Sequence, residues 1–254
     1  SASNVFQVQC TSIQEFNEGG FHKVYILKME DGKEYIGRLA IPVYPQWKTE
    51  SEVAIMEYIR LNTHIPVPKV YYWNSSVNNP VGAEYILMDY LPGIHLCDIW
   101  SNLNIKKKKL FHLKIIDIQL ALKKLTFSKI ATLPIMERGP FKTTKKYILA
   151  VIKNQMHYYC MFKSTKQQKY LIPKYEELCQ FVPKYFQDDG NDTFVLTHID
   201  FHTSNILVKN DEITGVIDWE CSDEMSRRDP DFIRTMDNID EEKKEFYSTV
   251  FSQE

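Results

Sequence analysis

Residues 196–208 read Leu-Thr-His-Ile-Asp-Phe-His-Thr-Ser-Asn-Ile-Leu-Val, and this stretch decides how the rest of the chain is interpreted. Two short runs rich in β-branched and apolar residues, typical of strands, flank a polar loop. The candidate side chains of this loop are His198, Asp200, His202 and Asn205. A further apolar run, Ile213 to Ile217, follows a turn and ends on Asp218. Carboxylate and amide oxygens at strand ends suit a hard cation and a phosphate; the alternative is an ordinary polar hairpin with an Asx turn.

The bulk composition is that of an ordinary globular protein. The chain has 254 residues, of which 44% are hydrophobic and 25% charged, so it is long enough for one large domain or two small lobes. Its formal net charge is −2. No nucleic-acid partner is therefore expected, because such proteins carry a marked basic excess.

The charge is distributed unevenly along the chain. Residues 1–187 hold 25 Lys and Arg against 15 Asp and Glu, whereas residues 188–242 hold 4 against 16. An acidic surface around the polar loop would attract Mg²⁺ and cationic small molecules. A merely solvated acidic face is an equally open interpretation.

Cysteine usage and hydropathy indicate the compartment. The five cysteines are widely scattered without a CxxC pair, which argues against a zinc site and against a secreted disulfide framework. No signal-peptide pattern and no run of 18 apolar residues occurs, so no membrane partner is expected. These features predict a reducing intracellular compartment, and we expect a cytoplasmic protein.

The first 91 residues predict about five strands and one helix. Strands are expected within residues 16–28, 35–41, 70–73 and 85–91, with a helix from Lys48 to Leu61. Arg38 lies on one of these strands and Glu52 on the first turn of the helix. The two could form an internal ion pair that positions a nucleotide, although the pattern alone favours two surface charges. The pair Gly19-Gly20 would let the backbone approach a phosphate closely, or it is simply a turn.

The rest of the chain is predicted to be mainly helical. Apolar side chains recur at helical spacing from Lys106 to Leu125 and again from Thr143 to Phe162. Pro173 is expected to begin another helix, which Pro183 should end or kink. Two short helices, at residues 231–236 and 241–251, complete the prediction.

At this point the order of parts resembles a known family. His198-x-Asp200-x-x-x-x-Asn205, followed by Ile217-Asp218-Trp219-Glu220, looks like the catalytic loop and metal-binding segment of the phosphotransferase enzyme family, which includes aminoglycoside phosphotransferases and is similar to choline kinases. Supporting elements occur in the expected order: Gly19-Gly20, Arg38, Glu52, Pro66-Val67-Pro68 and Met88 to Gly93. The sequence Ile217-Asp218-Trp219-Glu220 resembles the corresponding segment of eukaryotic, mostly fungal, members.

The resemblance implies an α+β, two-lobed protein-kinase-like fold. A small antiparallel-sheet lobe that binds the nucleotide would span residues 1–91. A mainly helical lobe with the catalytic loop and the metal-binding segment would span residues 92–254. Arg38 departs from the Lys that kinase-like enzymes usually carry on this strand; it keeps the charge but is bulkier and not interchangeable with Lys.

The resemblance also implies roles for individual residues. Asp200 would orient the acceptor hydroxyl and receive its proton, and Asn205 and Asp218 would hold Mg²⁺. The residues expected to contact ATP or GTP are Gly19, Gly20, Arg38, Glu52, Met88, Asp89 and Leu91. His198 would brace the loop, and Trp219 and Phe201 are expected to fill core.

These roles predict a small-molecule kinase that transfers the γ-phosphoryl group of ATP or GTP to a hydroxyl. The acceptor is expected to be small and plausibly cationic, such as an aminoglycoside-like sugar or an amino alcohol. The alternative is a nucleotide-binding pseudokinase or scaffold, which Arg38 and the short chain after Asp218 motivate. A protein kinase is a third option, disfavoured because the Ala-Pro-Glu segment and a long activation loop are missing from the sequence.

Overall fold

The structure is a computed structural model that describes residues 2–18, 22–41, 47–129, 139–186, 190, 192–221 and 223–226. The chain divides into two compact units: residues 1–121 with 198–222, and residues 122–197 with 223–254. These units are discontinuous in sequence, whereas the predicted lobes are the continuous segments 1–91 and 92–254. The lobe boundary after residue 91 therefore stays a prediction.

The first unit is built on a five-stranded antiparallel sheet. Its strands are β1 (Cys10–Glu18), β2 (His22–Met29), β3 (Glu34–Ala40), β4 (Val70–Asn74) and β5 (Tyr85–Asp89), in the order β1-β2-β3-β5-β4. A tight turn joins β2 to β3, and Gly32 supplies its positive φ of 81°. Strand β5 carries the most buried side chains, at four of its five positions, and the side chain of Arg38 on the neighbouring strand β3 is also buried. The prediction of about five strands in the first 91 residues is confirmed in the described part of that stretch.

The described part of residues 1–91 contains two helices: α1 (Ala2–Phe6), which the sequence interpretation missed, and α2 (Trp47–Asn62). The predicted helix Lys48 to Leu61 is confirmed to within one residue at each end. Buried positions on α2 recur at steps of three and four residues: Thr49, Glu52, Val53, Met56 and Ile59. The buried face therefore includes a carboxylate, Glu52, which needs a partner inside the protein.

Further elements described in the first unit are β6 (Ile94–His95), α3 (Leu96–Trp100), α4 (Ile105–Lys124, up to residue 121), β9 (Ile206–Lys209), β10 (Glu212–Val216) and two short 3-10 helices, Thr203–Asn205 and Trp219–Cys221. Strands β9 and β10 form a hairpin, and β6 pairs with the free side of β9. The hairpin turn is Asn210-Asp211, with both φ values positive, at 52° and 62°. Buried Leu96 and Phe111 pack with the strand residues Ile206 and Val208.

The second unit contains α5 (Thr144–Phe162), α6 (Thr165–Tyr185), β7 (Thr126–Phe127), β8 (Phe194–Thr197) and β11 (Asp223–Ser226). Its three strands form a sheet in the order β11-β8-β7. The strands on either side of the polar loop, β8 and β9, therefore belong to different sheets. The alternative of an ordinary polar hairpin is therefore excluded, because β8 pairs with β7 and β11 and β9 pairs with β6 and β10.

The prediction that Pro173 begins a helix was also wrong, because α6 starts eight residues earlier. Ser164 caps it: its hydroxyl accepts from the backbone N–H of Gln167, whose side chain accepts from the backbone N–H of Ser164. This capping box satisfies donors that a helix start otherwise leaves open. Pro183 does not end the helix either, which continues to Tyr185.

The predicted α+β class, with an antiparallel sheet first and helices later, is confirmed. The two short helices predicted at 231–236 and 241–251 lie outside the described residues. Among the residues that the structure describes, no helix is both long and apolar enough to cross a membrane.

Candidate active site

Arg38 lies in the middle of β3 and is buried, with 7% of its surface exposed. One guanidinium nitrogen, Nη1, donates to Glu52 of α2, whose side chain is fully buried. The other, Nη2, lies 2.6 Å from Oδ1 of Asp218 and 3.3 Å from Oε2 of Glu220. The structure thus brings together Arg38, Glu52 and Asp218, and the interpretation of Arg38 and Glu52 as separate surface charges was wrong.

A second set of buried polar side chains surrounds Glu220. Its Oε2 atom lies 2.7 Å from Nζ of Lys48 and 2.8 Å from Nδ1 of His22. All three side chains are less than one-tenth exposed. The sequence interpretation did not assign a role to any of them. Lys48 stands four residues before Glu52 on α2, so the spacing that places both on one helix face was the available signal.

The protonation of Glu52 is set mainly by its burial. Complete burial raises the pKa of Glu52 to about 7, and the negative charges of Glu220 and Asp218 act in the same direction. The positive charge of Arg38 opposes this shift without cancelling it. Glu52 therefore holds its proton to a higher pH than an exposed glutamate.

Glu220 behaves in the opposite way. Burial by itself would raise the pKa of Glu220, but hydrogen bonds from His22 and Lys48 and the charge of Arg38 bring it down to about 2. Burial lowers the pKa of His22, which is therefore neutral near pH 7. Glu220 is consequently a buried carboxylate that is charged near neutral pH, in contact with the cations Lys48 and Arg38.

His22, Glu52 and Glu220 offer ligand atoms that lie within 4.8 Å of one another, the spacing of a metal site. However, Lys48 and Arg38 already contact Oε2 of Glu220, and Arg38 also contacts Glu52. A divalent cation would have to displace these positive groups. The cluster is therefore an ion-pair network.

The polar loop is organised around Asp200. The amide nitrogen of Asn205 donates to the backbone carbonyl of Asp200 (2.9 Å) and to its Oδ2 (3.1 Å). Nε2 of His202 lies 3.2 Å from the same Oδ2. Nδ1 of His202 accepts from the backbone N–H of Ser204, so the ring proton is on Nε2 and points to Asp200. Asn205 uses its nitrogen inside the loop, which leaves its amide oxygen for another partner.

His198 joins the loop to the segment that carries Asp218. Its Nε2 donates to the carbonyl oxygen of Ile217 (2.9 Å), and its ring packs on buried Trp219 with centroids 4.4 Å apart. Burial lowers the pKa of His198, so the ring is neutral. The backbone N–H of Ile217 in turn donates to the carbonyl of Asn205 (3.0 Å). These contacts have the geometry expected of a brace, and the prediction that Trp219 fills core is confirmed.

The end of β5 is tied to the β9–β10 hairpin. The hydroxyl of Thr214 donates to the carbonyl of Pro92 (2.5 Å), and the Leu91 side chain lies over Gly215, where an added Cβ would come within 2.7 Å of it. Gly93 has φ 142°, and a Cβ there would meet the Thr214 hydroxyl at 2.7 Å. The candidate base-binding segment and the strands next to the polar loop are therefore closely packed.

Of the other predicted nucleotide contacts, Met88 is buried on β5, with 8% exposed. The Asp89 carboxylate accepts from the backbone N–H of Lys69 (3.0 Å) and from the hydroxyl of Tyr71 (2.9 Å), so this side chain has a structural task. Gly19 and Gly20 lie outside the described residues, and their predicted contact with phosphate stays a prediction.

Solved structures with a similar fold include aminoglycoside phosphotransferases. A thermostable mutant of APH(4)-Ia in ternary complex with AMP-PNP and hygromycin B has a TM-score of 0.59 and 16% identity, over 85% of this chain and 69% of that one. The gentamicin complex of APH(2")-IIa has a TM-score of 0.60 and 14% identity, over 88% and 69%. At such identities the likeness shows the fold alone, and it confirms the predicted protein-kinase-like fold.

Curated relatives match a shorter part of the chain. A subtelomeric hrmA-associated cluster protein of Aspergillus fumigatus is 37% identical over 115 residues, covering 44% of this chain and 23% of the relative. Altered inheritance of mitochondria protein 9, mitochondrial, of Yarrowia lipolytica is 36% identical over 94 residues, covering 34% and 16%. The matched part is less than a quarter of the length of these relatives.

The relatives correct one expectation. Several are named as mitochondrial proteins, in Yarrowia lipolytica, Eremothecium gossypii and Candida tropicalis, which contradicts the predicted cytoplasmic location. The physical reason is that scattered free cysteines indicate a reducing compartment, and the mitochondrial matrix shares this property with the cytosol.

The family itself is shown by a family model that covers most of the chain. The model of the phosphotransferase enzyme family matches residues 12–227, a span that includes the Arg38–Glu52 pair, the polar loop and Asp218. The chain therefore belongs to the phosphotransferase enzyme family.

Proposed function

We propose that this protein is a small-molecule kinase that transfers the γ-phosphoryl group of ATP or GTP to a hydroxyl, with Mg²⁺. The observation that carries the proposal is the buried contact of Arg38 with both Glu52 and Asp218, in the same compact unit as the Asp200–Asn205 loop. Phosphoryl transfer needs positioning and charge neutralisation more than covalent chemistry, and these residue types supply both.

Asp200 is the proposed catalytic residue. Its side chain is half exposed, and the hydrogen bonds it receives from Asn205 and His202 converge on Oδ2. Oδ1 is then the oxygen that would orient the acceptor hydroxyl and take its proton. An aspartate suffices as the proton acceptor, since a loose transition state demands little deprotonation beforehand.

Asn205 and Asp218 would hold Mg²⁺, because an amide oxygen and a carboxylate are the hard donors this cation prefers. Two observations support the fit: the Asn205 nitrogen donates to Asp200, which leaves the amide oxygen for a cation, and the Asp218 side chain is one-third exposed. Bound Mg²⁺ would neutralise charge on the transferred phosphoryl group. The chain's own contribution is to fix both ligands, through the Ile217–Asn205 backbone bond and the His198 brace.

Arg38 would contact the phosphates, and its ion pair with Glu52 would fix the position of the guanidinium. The backbone near Asp89 and Leu91 would hydrogen-bond the purine, with Met88 packed behind it, and Gly19 and Gly20 would contact the phosphates. The close packing of Leu91 on Gly215 supports this arrangement, since it fixes the strand end relative to the β9–β10 hairpin. The AMP-PNP and GDP complexes of aminoglycoside phosphotransferases support either ATP or GTP as donor.

The acceptor is proposed to be a cationic amino sugar or amino alcohol. The acidic balance of residues 188–242 favours a positive substrate. Aromatic side chains on α5 and α6 pack together, Tyr159 against Tyr175 at 5.8 Å, and Nζ of Lys163 lies 5.3 Å above the Tyr158 ring. One of these rings, Tyr158, thus already lies against a positive charge, the kind of contact that a cationic acceptor would make. Similar folds were solved with hygromycin B and with gentamicin.

The test is to incubate the protein with Mg²⁺, either ATP or GTP, and each member of a panel of amino sugars and amino alcohols. The release of the nucleoside diphosphate is measured. Asp200→Ala should lower transfer by about 10²- to 10⁴-fold, while nucleotide binding by thermal shift is retained. Asp98→Ala, at an acid on α3 outside the polar loop, is the control. Equal turnover in the parent and Asp200→Ala across the panel would contradict the proposal.

A nucleotide-binding protein without transfer is the second candidate. One observation favours it: Arg38 contacts Asp218 at 2.6 Å, so a proposed metal ligand is engaged by a cation. This candidate predicts a nucleotide-dependent rise in melting temperature with no turnover in the same assay. Turnover that depends on Asp200 rejects it.

The names of the relatives also suggest that the full-length protein is mitochondrial. Fractionation of the host cell with a tagged full-length protein tests this. Recovery outside mitochondria would contradict it.

A further inference from the structure

Arg38 has more carboxylate partners than a simple ion pair requires. Its Nη1 is used by Glu52, whereas its Nη2 faces two acceptors, Oδ1 of Asp218 at 2.6 Å and Oε2 of Glu220 at 3.3 Å. The two acceptors differ in their surroundings: the Asp218 side chain is 33% exposed and that of Glu220 only 6%. One acceptor is thus open to solvent and the other is enclosed.

Glu220 is held in place independently of Arg38. Lys48, at the start of α2, lies 2.7 Å from Oε2, and Nδ1 of His22, on β2, lies 2.8 Å from it. Nδ1 also lies 2.9 Å from Nη2 of Arg38. A carboxylate only accepts, so a hydrogen bond between Nδ1 and Glu220 requires the ring proton on Nδ1, and a protonated Nδ1 cannot also accept from Arg38. Two groups on separate elements therefore fix the enclosed acceptor.

We propose that Glu220 is a positioning residue that retains Arg38 and thereby releases the carboxylate of Asp218 for Mg²⁺. The inference rests on the proposed function and deepens it. Oδ1 of Asp218 cannot serve the guanidinium and a divalent cation fully at the same time. Glu220 offers the same Nη2 a second buried acceptor, so the ion pair is kept when Asp218 is used elsewhere.

The consequence of losing Glu220 follows from competition. Asp218 becomes the sole carboxylate for Nη2 among the described residues, so the Arg38–Asp218 pair opposes Mg²⁺ binding more strongly. Removing a group that contacts a metal ligand, but not the metal itself, typically changes metal affinity about 10- to 100-fold. Nucleotide binding in the absence of Mg²⁺ should change little, because Arg38 keeps its pair with Glu52.

The experiment measures binding of AMP-PNP by calorimetry over a series of Mg²⁺ concentrations and in EDTA. The proteins are the parent, Glu220→Gln, Glu220→Asp and Glu84→Gln. Glu84 is a matched control, because it is also a buried glutamate and accepts from Thr49 of α2 at 2.7 Å, away from Arg38. The Mg²⁺ midpoint is the Mg²⁺ concentration that gives half of the Mg²⁺-dependent gain in AMP-PNP affinity. We expect Glu220→Gln to raise this midpoint at least about 10-fold and to leave the affinity for AMP-PNP in EDTA unchanged. Glu84→Gln should leave the midpoint unchanged.

The outcomes are distinguishable. Equal Mg²⁺ midpoints in the parent and Glu220→Gln, or an equal loss of affinity with and without Mg²⁺, would overturn the inference and leave the proposed function standing. If Glu220→Gln does not fold, Glu220→Asp is the deciding variant, because it keeps the negative charge on a shorter side chain. We expect its Mg²⁺ midpoint to lie above that of the parent. An unchanged midpoint overturns the inference. A parent protein that binds no AMP-PNP overturns the proposed function and the inference together.

Discussion

Nε2 of His198 donates to the carbonyl oxygen of Ile217 at 2.9 Å, so that a buried neutral ring joins the polar loop to the segment that ends in Asp218. The ring also packs on Trp219, and its Nδ1 has no hydrogen-bond partner among the described residues. One side chain therefore fixes two stretches of backbone that carry proposed ligands and the proposed proton acceptor.

Replacing this ring should cost stability. His198→Ala leaves a buried carbonyl without its donor and a cavity beside Trp219, and we expect the free energy of unfolding to fall by about 2–4 kcal/mol. His198→Gln keeps an N–H donor and should lose less. Urea unfolding measures both, with His64→Ala as the control, since His64 is an exposed histidine. Equal losses in His198→Ala and His64→Ala would contradict the brace.

The buried Glu52 predicts a particular pH dependence. Its folded-state pKa of about 7 lies above the ordinary 4.5, so the folded protein binds the proton more tightly than the unfolded chain. The contribution of Glu52 to stability is therefore greatest below pH 4.5 and is lost as pH rises toward 7. Glu52→Gln has no charge to bury and escapes this loss.

The measurement compares unfolding free energies at pH 5 and pH 8. The parent should lose on the order of 2–3 kcal/mol relative to Glu52→Gln across this interval. Glu57→Gln, at an exposed glutamate of the same helix, should follow the parent. Parallel pH profiles for the parent and Glu52→Gln would rule out a raised pKa at this position.

Gly93 should not tolerate a side chain. A Cβ there would lie 2.7 Å from the Thr214 hydroxyl and 2.9 Å from the Val208 carbonyl, and φ is 142°. Gly93→Ala should destabilise the protein by about 3 kcal/mol, through strain and overlap together. Gly82→Ala is the control for a positive φ without overlap, because Gly82 has φ 74° and nothing lies within 4 Å of an added Cβ; about 1 kcal/mol is expected there. Equal losses would show that contact with the hairpin is not responsible.

His202 should influence transfer without holding the fold. Its Nε2–H meets Oδ2 of Asp200 at 3.2 Å, and both side chains are half exposed. His202→Ala should lower the rate of transfer about 10-fold through looser orientation of Asp200, with the melting temperature nearly unchanged. His112→Ala, on α4, is the control. A rate equal to that of the parent would remove His202 from the site.

The sequence was sufficient wherever a local periodicity or a compact motif carried the information. The apolar spacing of α2 and α4 located these helices to within a residue or two, and the loop from His198 to Asn205 indicated the family. Pro173 misled because proline is a strong local signal, and the capping box at Ser164 outweighed it.

The network around Glu220 could not be predicted in the same way. His22, Lys48 and Glu220 come from three distant segments, and each looks like an ordinary polar residue in its own neighbourhood. Only the folded chain shows that His22 and Lys48 both contact Oε2 of Glu220 and that all three side chains are buried. Burial of charge is a tertiary property, so no pattern within one segment reports it.

The contact between Leu91 and Gly215 constrains how this family can vary. The side chain at 91 takes the space that a Cβ at 215 would fill, although the two positions are 124 residues apart in sequence. Related chains should therefore exchange volume between these positions, with a smaller residue at 91 wherever 215 is not glycine. Attempts to alter nucleotide preference at the end of β5 would then require changes to both positions together.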